Sequence, residues 1–115
     1  MKRGDVYWAD IFPRSGSEQT PPRPVIIVSH DAFNQTPTWQ SIIIVPITTS
    51  GAQRRRGVTA IELPRGAAGL QSASVAVCHQ VTTLDRAKLN GLLGTLSAEH
   101  LRQVEDGLRA ALDIE

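Results

Sequence analysis

The sequence is short of most of what enzymes commonly use. It has a single cysteine, Cys78, so it cannot form an internal disulfide, and its three histidines, His30, His79 and His100, are far apart. No Cys/His pair has the spacing of a structural zinc site. There is no glycine-rich phosphate loop and no Gly-x-Ser-x-Gly elbow. Aromatic residues make up only 4% of the chain. Metal-centred, nucleotide-loop and serine-hydrolase chemistry are thereby disfavoured. The uncharged stretch of residues 66 to 84 is rich in Gly, Ser, Gln and Thr and does not read as a membrane span. The N-terminus, MKRGDVYW, lacks an apolar signal core. Cys78 lies in an apolar stretch and reads as a small buried hydrophobe in a reduced, cytoplasmic protein.

What remains is an ordinary globular composition, 41% hydrophobic and 20% charged over 115 residues, which fits one domain spanning 1–115. The net charge is only +1, but it is unevenly spread. Residues 1 to 65 carry eight Lys/Arg against five Asp/Glu, and residues 66 to 115 carry four against six. Arg54, Arg55 and Arg56 alone supply the excess in the first part. A basic face suits a nucleic acid or an acidic partner, whereas a charge run in a loop is often only solvated.

Hydrophobic periodicity predicts short strands at residues 5–10, 25–28, 42–48, 58–63 and 74–81, with a further one at 82–84. Residues 14 to 22 read as a loop, 29 to 35 as a turn or one helical turn, and 54 to 57 as a turn. Pro46 inside the third apolar run hints at an edge or bulge. The end of the chain changes period. Ser97 can cap a helix whose apolar positions are Leu101, Val104, Leu108 and Leu112, weakened by Gly107. The pattern is mainly β with a C-terminal helix: a small barrel or strongly bent sheet with the helix over one opening or face.

Polar groups gather at strand ends. Arg23, set between prolines, leads into Val25-Ile26-Ile27-Val28. Thr48, Thr49 and Ser50 end the next strand, and Gln80 with His79 ends a third. These could converge at one rim. They could equally be β-branched strand formers and solvated edge residues.

RGDVYWADIFP (3–13), GSEQ (16–19), RPVIIVS (23–29), PITT (46–49) and GLQSASVAVCHQVTTLDRAKL (69–89) stand in order. Together they resemble the MazF/PemK family of bacterial toxins, sequence-specific endoribonucleases of toxin–antitoxin pairs. The resemblance covers nearly the whole chain. It implies a small SH3-like barrel with a C-terminal helix, the MazF/PemK/CcdB-type toxin fold, working as a homodimer. It places the family's essential arginine on Arg23 and its essential threonine on Thr48. It matches the RNA-groove segment to Ser17, Glu18 and Gln19, with Thr49, His79 and Gln80 as further RNA contacts. Many members have an acidic residue where this chain has His79, and arginine where it has Thr82, which bears on the cleavage sequence.

The implied activity is cleavage of single-stranded RNA by 2′-OH attack without metal or cofactor. Messenger RNA is the foremost substrate, with ribosomal or transfer RNA as other candidates. The implied partner is a MazE-like antitoxin whose acidic tail occupies the RNA groove. A guanidinium presents a planar fork to a phosphate, and flanking prolines restrict its backbone. Glu18 and His79 are ordinary candidates for accepting the 2′-OH proton. A non-catalytic gyrase poison on the same fold and an RNA-binding barrel module are the alternative readings.

Overall fold

The computed structural model describes residues 1–11, 21–55 and 57–115; Ser17, Glu18, Gln19 and Arg56 therefore lie outside the described residues. The strands are β1 (Asp5–Ala9), β2 (Arg23–Ile27), β3 (Ser41–Thr48), β4 (Ala60–Leu63), β5 (Ser74–Val77), β6 (Thr82–Asp85) and β7 (Leu89–Thr95). The α-helices are α1 (Asp31–Asn34), α2 (Gly51–Arg54) and α3 (Ala98–Leu112). All strand pairings are antiparallel, in the order β4-β5-β3-β2-β1-β7, with β6 also on β3.

β3 is the axis of the fold. Its first half, Ser41 to Ile44, pairs with β6, and its last residues, Ile47 and Thr48, pair with β5. Pro46 sits where β3 passes from one partner to the other. A proline has no N–H to give to a ladder, so a switch of partner is where it does least harm.

The unbroken apolar runs of β2 and β3 follow from burial on both faces. Val6, Ile26, Val45, Ile47, Ala76 and Cys78 form one core cluster, which Val104 of α3 completes. Val25, Ile27, Ile42 and Ile44, fully buried, form a second cluster with Ala9. Successive residues of a strand point to opposite faces, so consecutive Val25, Ile26 and Ile27 feed the two clusters in turn.

The gap between β4 and β7 is closed by packing. The turn Ala67–Gly69 lies against β7 so closely that a Cβ on Gly69 would meet the Leu93 carbonyl oxygen at 2.6 Å. Gly69 also has φ +77°, which a side chain would strain. Seven antiparallel strands, bent in this way and covered over the first cluster by α3, make a small barrel-like sheet.

α3 starts where the sequence predicts: the Ser97 hydroxyl accepts the His100 N–H at 3.1 Å. Val104 is buried, Leu101 and Leu108 are half-buried, and Leu112 is exposed. At the other end of the chain, Arg3 reaches the Glu105 carboxylate at 2.6 Å and the Val28 carbonyl at 3.1 Å, tying β1's approach to the helix.

Four elements differ from expectation. The strand expected at 58–63 begins only at Ala60, after a 3-10 turn over Gly57–Thr59. β5 stops at Val77, because Cys78–Gln80 turns in a 3-10 helix before β6. The segment before the predicted turn at 54 to 57 is the short helix α2. β7, absent from the periodicity reading, pairs with all of β1.

Candidate functional site

β2 and β3 pair as Val25 with Pro46, Ile26 with Val45 and Ile27 with Ile44. Carried two residues further, the same register brings Arg23 opposite Thr48. Arg23 is the first residue of β2 and Thr48 the last of β3, so both side chains stand at one rim of the barrel. They line one open cleft of about 360 Å³ with Thr49, Ser50 and Ser74. Arg23, Thr48 and Thr49 are thus brought together as the sequence suggested.

The cleft is chemically simple. The Arg23 side chain is exposed and has no hydrogen-bond or ion-pair partner among the described residues. Thr48 is half-buried, and its hydroxyl oxygen accepts the Ser50 N–H at 3.1 Å. That contact fixes the rotamer and leaves the hydroxyl proton to donate into the cleft. On the neighbouring strand Val75 pairs with Thr48, which sets Ser74 beside it. Ser74 is only 3% exposed, and its hydroxyl donates to the Ser72 carbonyl at 2.9 Å, so its oxygen can still accept. An exposed guanidinium with a hydroxyl donor alongside is a receptor for a phosphate-type anion.

Ser74 was not singled out in the sequence. It opens an apolar strand, and only the register of β5 on β3 reveals its position.

His79 and Gln80 lie elsewhere. β5 runs away from the cleft, and both residues sit in the turn beyond its far end, roughly 10 Å along the strand direction from Thr48's partner. The His79 ring lies with Nδ1 3.5 Å from the Thr59 hydroxyl. His79 is therefore not placed to take a proton at the cleft of its own chain. Ser17, Glu18 and Gln19 lie outside the described residues.

Arg54 forms an ion pair with Glu62 at 3.2 Å. Both line a cavity that shares Ser74 with the cleft, so α2 borders the site. Arg55 is exposed.

Arg86 is a residue whose role the sequence did not disclose. Its guanidinium donates to the carbonyls of Trp39, Asn34, Phe33 and Thr36 at 2.9 to 3.0 Å. It thereby satisfies the end of α1 and the loop after it, where few regular partners exist. Phe33 of α1 and Trp39 of that loop are stacked at 4.6 Å with 24° between their planes.

Among the described residues, no group of three His, Cys, Asp or Glu side chains could hold a metal ion, and no helix is long and apolar enough to cross a membrane.

A small barrel with an anion-receiving cleft at its rim is thus the class of molecule. Residues 2–112 match the family described as PemK-like, MazF-like toxin of type II toxin–antitoxin system. The chain belongs to that family. It is 35% identical to an endoribonuclease MazF of Staphylococcus epidermidis over 114 residues, covering 99% of this chain and 92% of the relative. Its fold is similar to a mycobacterial endoribonuclease solved with its cognate antitoxin (TM-score 0.78, 23% identity, 100% of this chain and 97% of that one). A MazE–MazF crystal structure from Deinococcus radiodurans gives the same TM-score of 0.78 at 23% identity, again covering 100% and 97%. The small SH3-like barrel with a C-terminal helix is therefore the fold of this chain.

Proposed function

We propose that the chain is the toxin of a type II toxin–antitoxin pair and an endoribonuclease that cuts single-stranded RNA in the cytoplasm. The observation that carries the reading is the convergence of Arg23 and Thr48, distant in sequence, on one open cleft. Family membership and the endoribonuclease MazF relative support it.

In this reading Arg23 holds the scissile phosphate through its paired donors and stabilises the charge that grows on it in the transition state. Thr48 donates a hydrogen bond to the same phosphate. Held by the Ser50 N–H, it is preorganised for that contact. The ribose 2′-OH is the nucleophile, so products carry a 2′,3′-cyclic phosphate and a 5′-OH, and DNA is not cut. No cofactor or metal takes part. Ser17, Glu18, Gln19 and Thr49 contact the RNA around the cut, and His79 and Gln80 meet it further along the strand. Glu18 becomes the stronger candidate for the 2′-OH proton, given where His79 lies.

The chain works as a homodimer with the RNA groove along the junction. Phe33 and Trp39, 39% and 44% exposed, offer apolar surface for a second copy. The exposed Arg23 and the nearby α2 arginines favour an acidic, MazE-like antitoxin tail in the same groove, which would order on binding.

The test is purified protein with a long RNA in EDTA, read on a gel beside a gyrase supercoiling assay. Discrete RNA fragments are expected. Intact RNA with inhibited supercoiling would replace this reading with a topoisomerase poison.

A further inference from the structure

The cleft continues past Ser74. Beyond that residue lies a second cavity of about 400 Å³, walled by Arg54, Glu62, Leu63, Pro64 and Ala73. Ser74 lines both. The sheet explains why they adjoin. Glu62 of β4 pairs with Val75 of β5, and Val75 pairs with Thr48 of β3. Glu62 therefore stands two strands from Thr48, roughly 10 Å across the sheet. Arg54 arrives through the chain: α2 follows directly on Ser50, whose N–H the Thr48 hydroxyl oxygen accepts.

Arg23 is the only charged residue lining the cleft, among the described residues. The next cavity holds one charge of each sign, and they neutralise each other. Arg54 Nε lies 3.2 Å from Glu62 Oε1. The Arg54 side chain is 36% exposed and that of Glu62 74%, so the pair stands in water and adds little to the fold. Its effect on a ligand is larger. A nucleic-acid backbone that leaves the cleft past Ser74 meets a guanidinium that already has a carboxylate. To take a phosphate, Arg54 must let go of Glu62, and the released carboxylate then faces the same backbone.

We infer that Glu62 is a brake on polyanion binding: it holds Arg54 in the free protein, so that Arg54 serves a ligand only against that competition. The brake rests on the reading of the Arg23–Thr48 cleft as the RNA site, and adds to it a residue that sets how tightly the groove grips a backbone. Magnitudes separate the brake from simple repulsion. Across about 10 Å of wet surface, one charge changes affinity by less than about twofold. Competition with an exposed ion pair changes it by up to about fivefold.

The test follows a labelled all-deoxy oligonucleotide, which lacks the 2′-OH and cannot be cut, by fluorescence anisotropy from about 50 to 200 mM salt. Wild type, Glu62→Gln, Arg54→Ser and the double variant are compared. Glu62→Gln should bind about two- to fivefold more tightly at the lowest salt. Its plot of log affinity against log salt should steepen by about 0.7, the contribution of one further phosphate contact on a single strand. In the Arg54→Ser background the same change should give less than about twofold and no steeper slope. All four proteins should melt near one another, because both side chains are exposed. Unchanged affinity and slope in Glu62→Gln overturn the brake. An equal gain with and without Arg54 overturns it too, since Glu62 then acts by its charge alone. Binding at full strength by Arg23→Ala is the separate failure: it takes the polyanion out of the cleft and removes the reading on which the brake rests.

Discussion

Gly107 lies directly over Cys78: a Cβ at position 107 would stand 2.7 Å from Cys78 Sγ and 3.0 Å from Ile61 Cγ1. The helix can approach the barrel this closely only without that side chain. Helix propensity alone says that Gly107→Ala should stabilise by about 1 kcal/mol. Overpacking opposes it with roughly 1–3 kcal/mol, and Cys78 is fully buried with nowhere to go. Net destabilisation of up to about 2 kcal/mol is expected. Urea unfolding of the two proteins measures it, and stabilisation would show that the helix can lift without cost.

The same packing governs Cys78 chemistry. Burial pushes its thiol up to about 11 from an ordinary 9.0. The thiolate is the reactive form, so the folded protein should resist aromatic disulfide reagents at pH 8 and react on unfolding. The linkage has a definite sign. Above pH 9 the unfolded chain loses this proton while the folded one keeps it, so stability declines as pH rises from about 9 to 11. Cys78→Ala should flatten that part of the curve, which thermal melts across the range would detect.

Arg86 secures the end of α1 and the loop after it, which together carry the exposed aromatic pair. Arg86→Ala leaves the carbonyls of Phe33, Asn34, Thr36 and Trp39 without it. A loss of about 1–3 kcal/mol is expected, with a red-shifted Trp39 emission as the stack with Phe33 loosens. Arg86→Lys should recover little, because an ammonium cannot reach several carbonyls in a planar fan. Full recovery would mean that charge, and not the fork, is what the loop needs.

Arg54 is exposed and paired with exposed Glu62, so Arg54→Ser should change stability little. Its cavity touches the cleft at Ser74. RNA and antitoxin affinities should therefore weaken together in the Arg54/Arg55/Arg56→Ser protein, and the salt dependence of RNA binding should become shallower. Unchanged binding of both ligands would reduce these arginines to a solvated turn.

Much of this was legible in the sequence. Unbroken apolar runs marked β2 and β3, helical periodicity marked α3, and Ser97 marked the helix start. The motif order carried the family and, with it, Arg23 and Thr48. β7 was hidden because Leu89–Thr95 contains two glycines and no alternation. Those glycines serve close approach and open space: a Cβ on Gly94 would strike the Ala68 carbonyl. Gly107 read as a flaw in a helix, since propensity concerns the isolated helix and not what it rests on. Ser74 was invisible as part of the cleft because register is a long-range property. The same register separates His79 and Gln80 from the residues with which they had been grouped. A strand end read from sequence has no way to show which rim it faces.

The most direct test of the Arg23–Thr48 cleft is the single-turnover cleavage rate of one RNA in EDTA by wild type, Arg23→Ala and Thr48→Val, each first shown to be folded by its thermal melt. Both side chains lie at the rim and neither belongs to the core clusters, so both variants should melt near the wild type. Arg23→Ala should cut about 10²- to 10³-fold more slowly or worse, because it removes both charge and donors at the phosphate. Thr48→Val, which loses only a hydroxyl, should fall by less but still by tenfold or more. A folded Arg23→Ala protein that cuts at the wild-type rate would place the chemistry elsewhere and contradict the assignment.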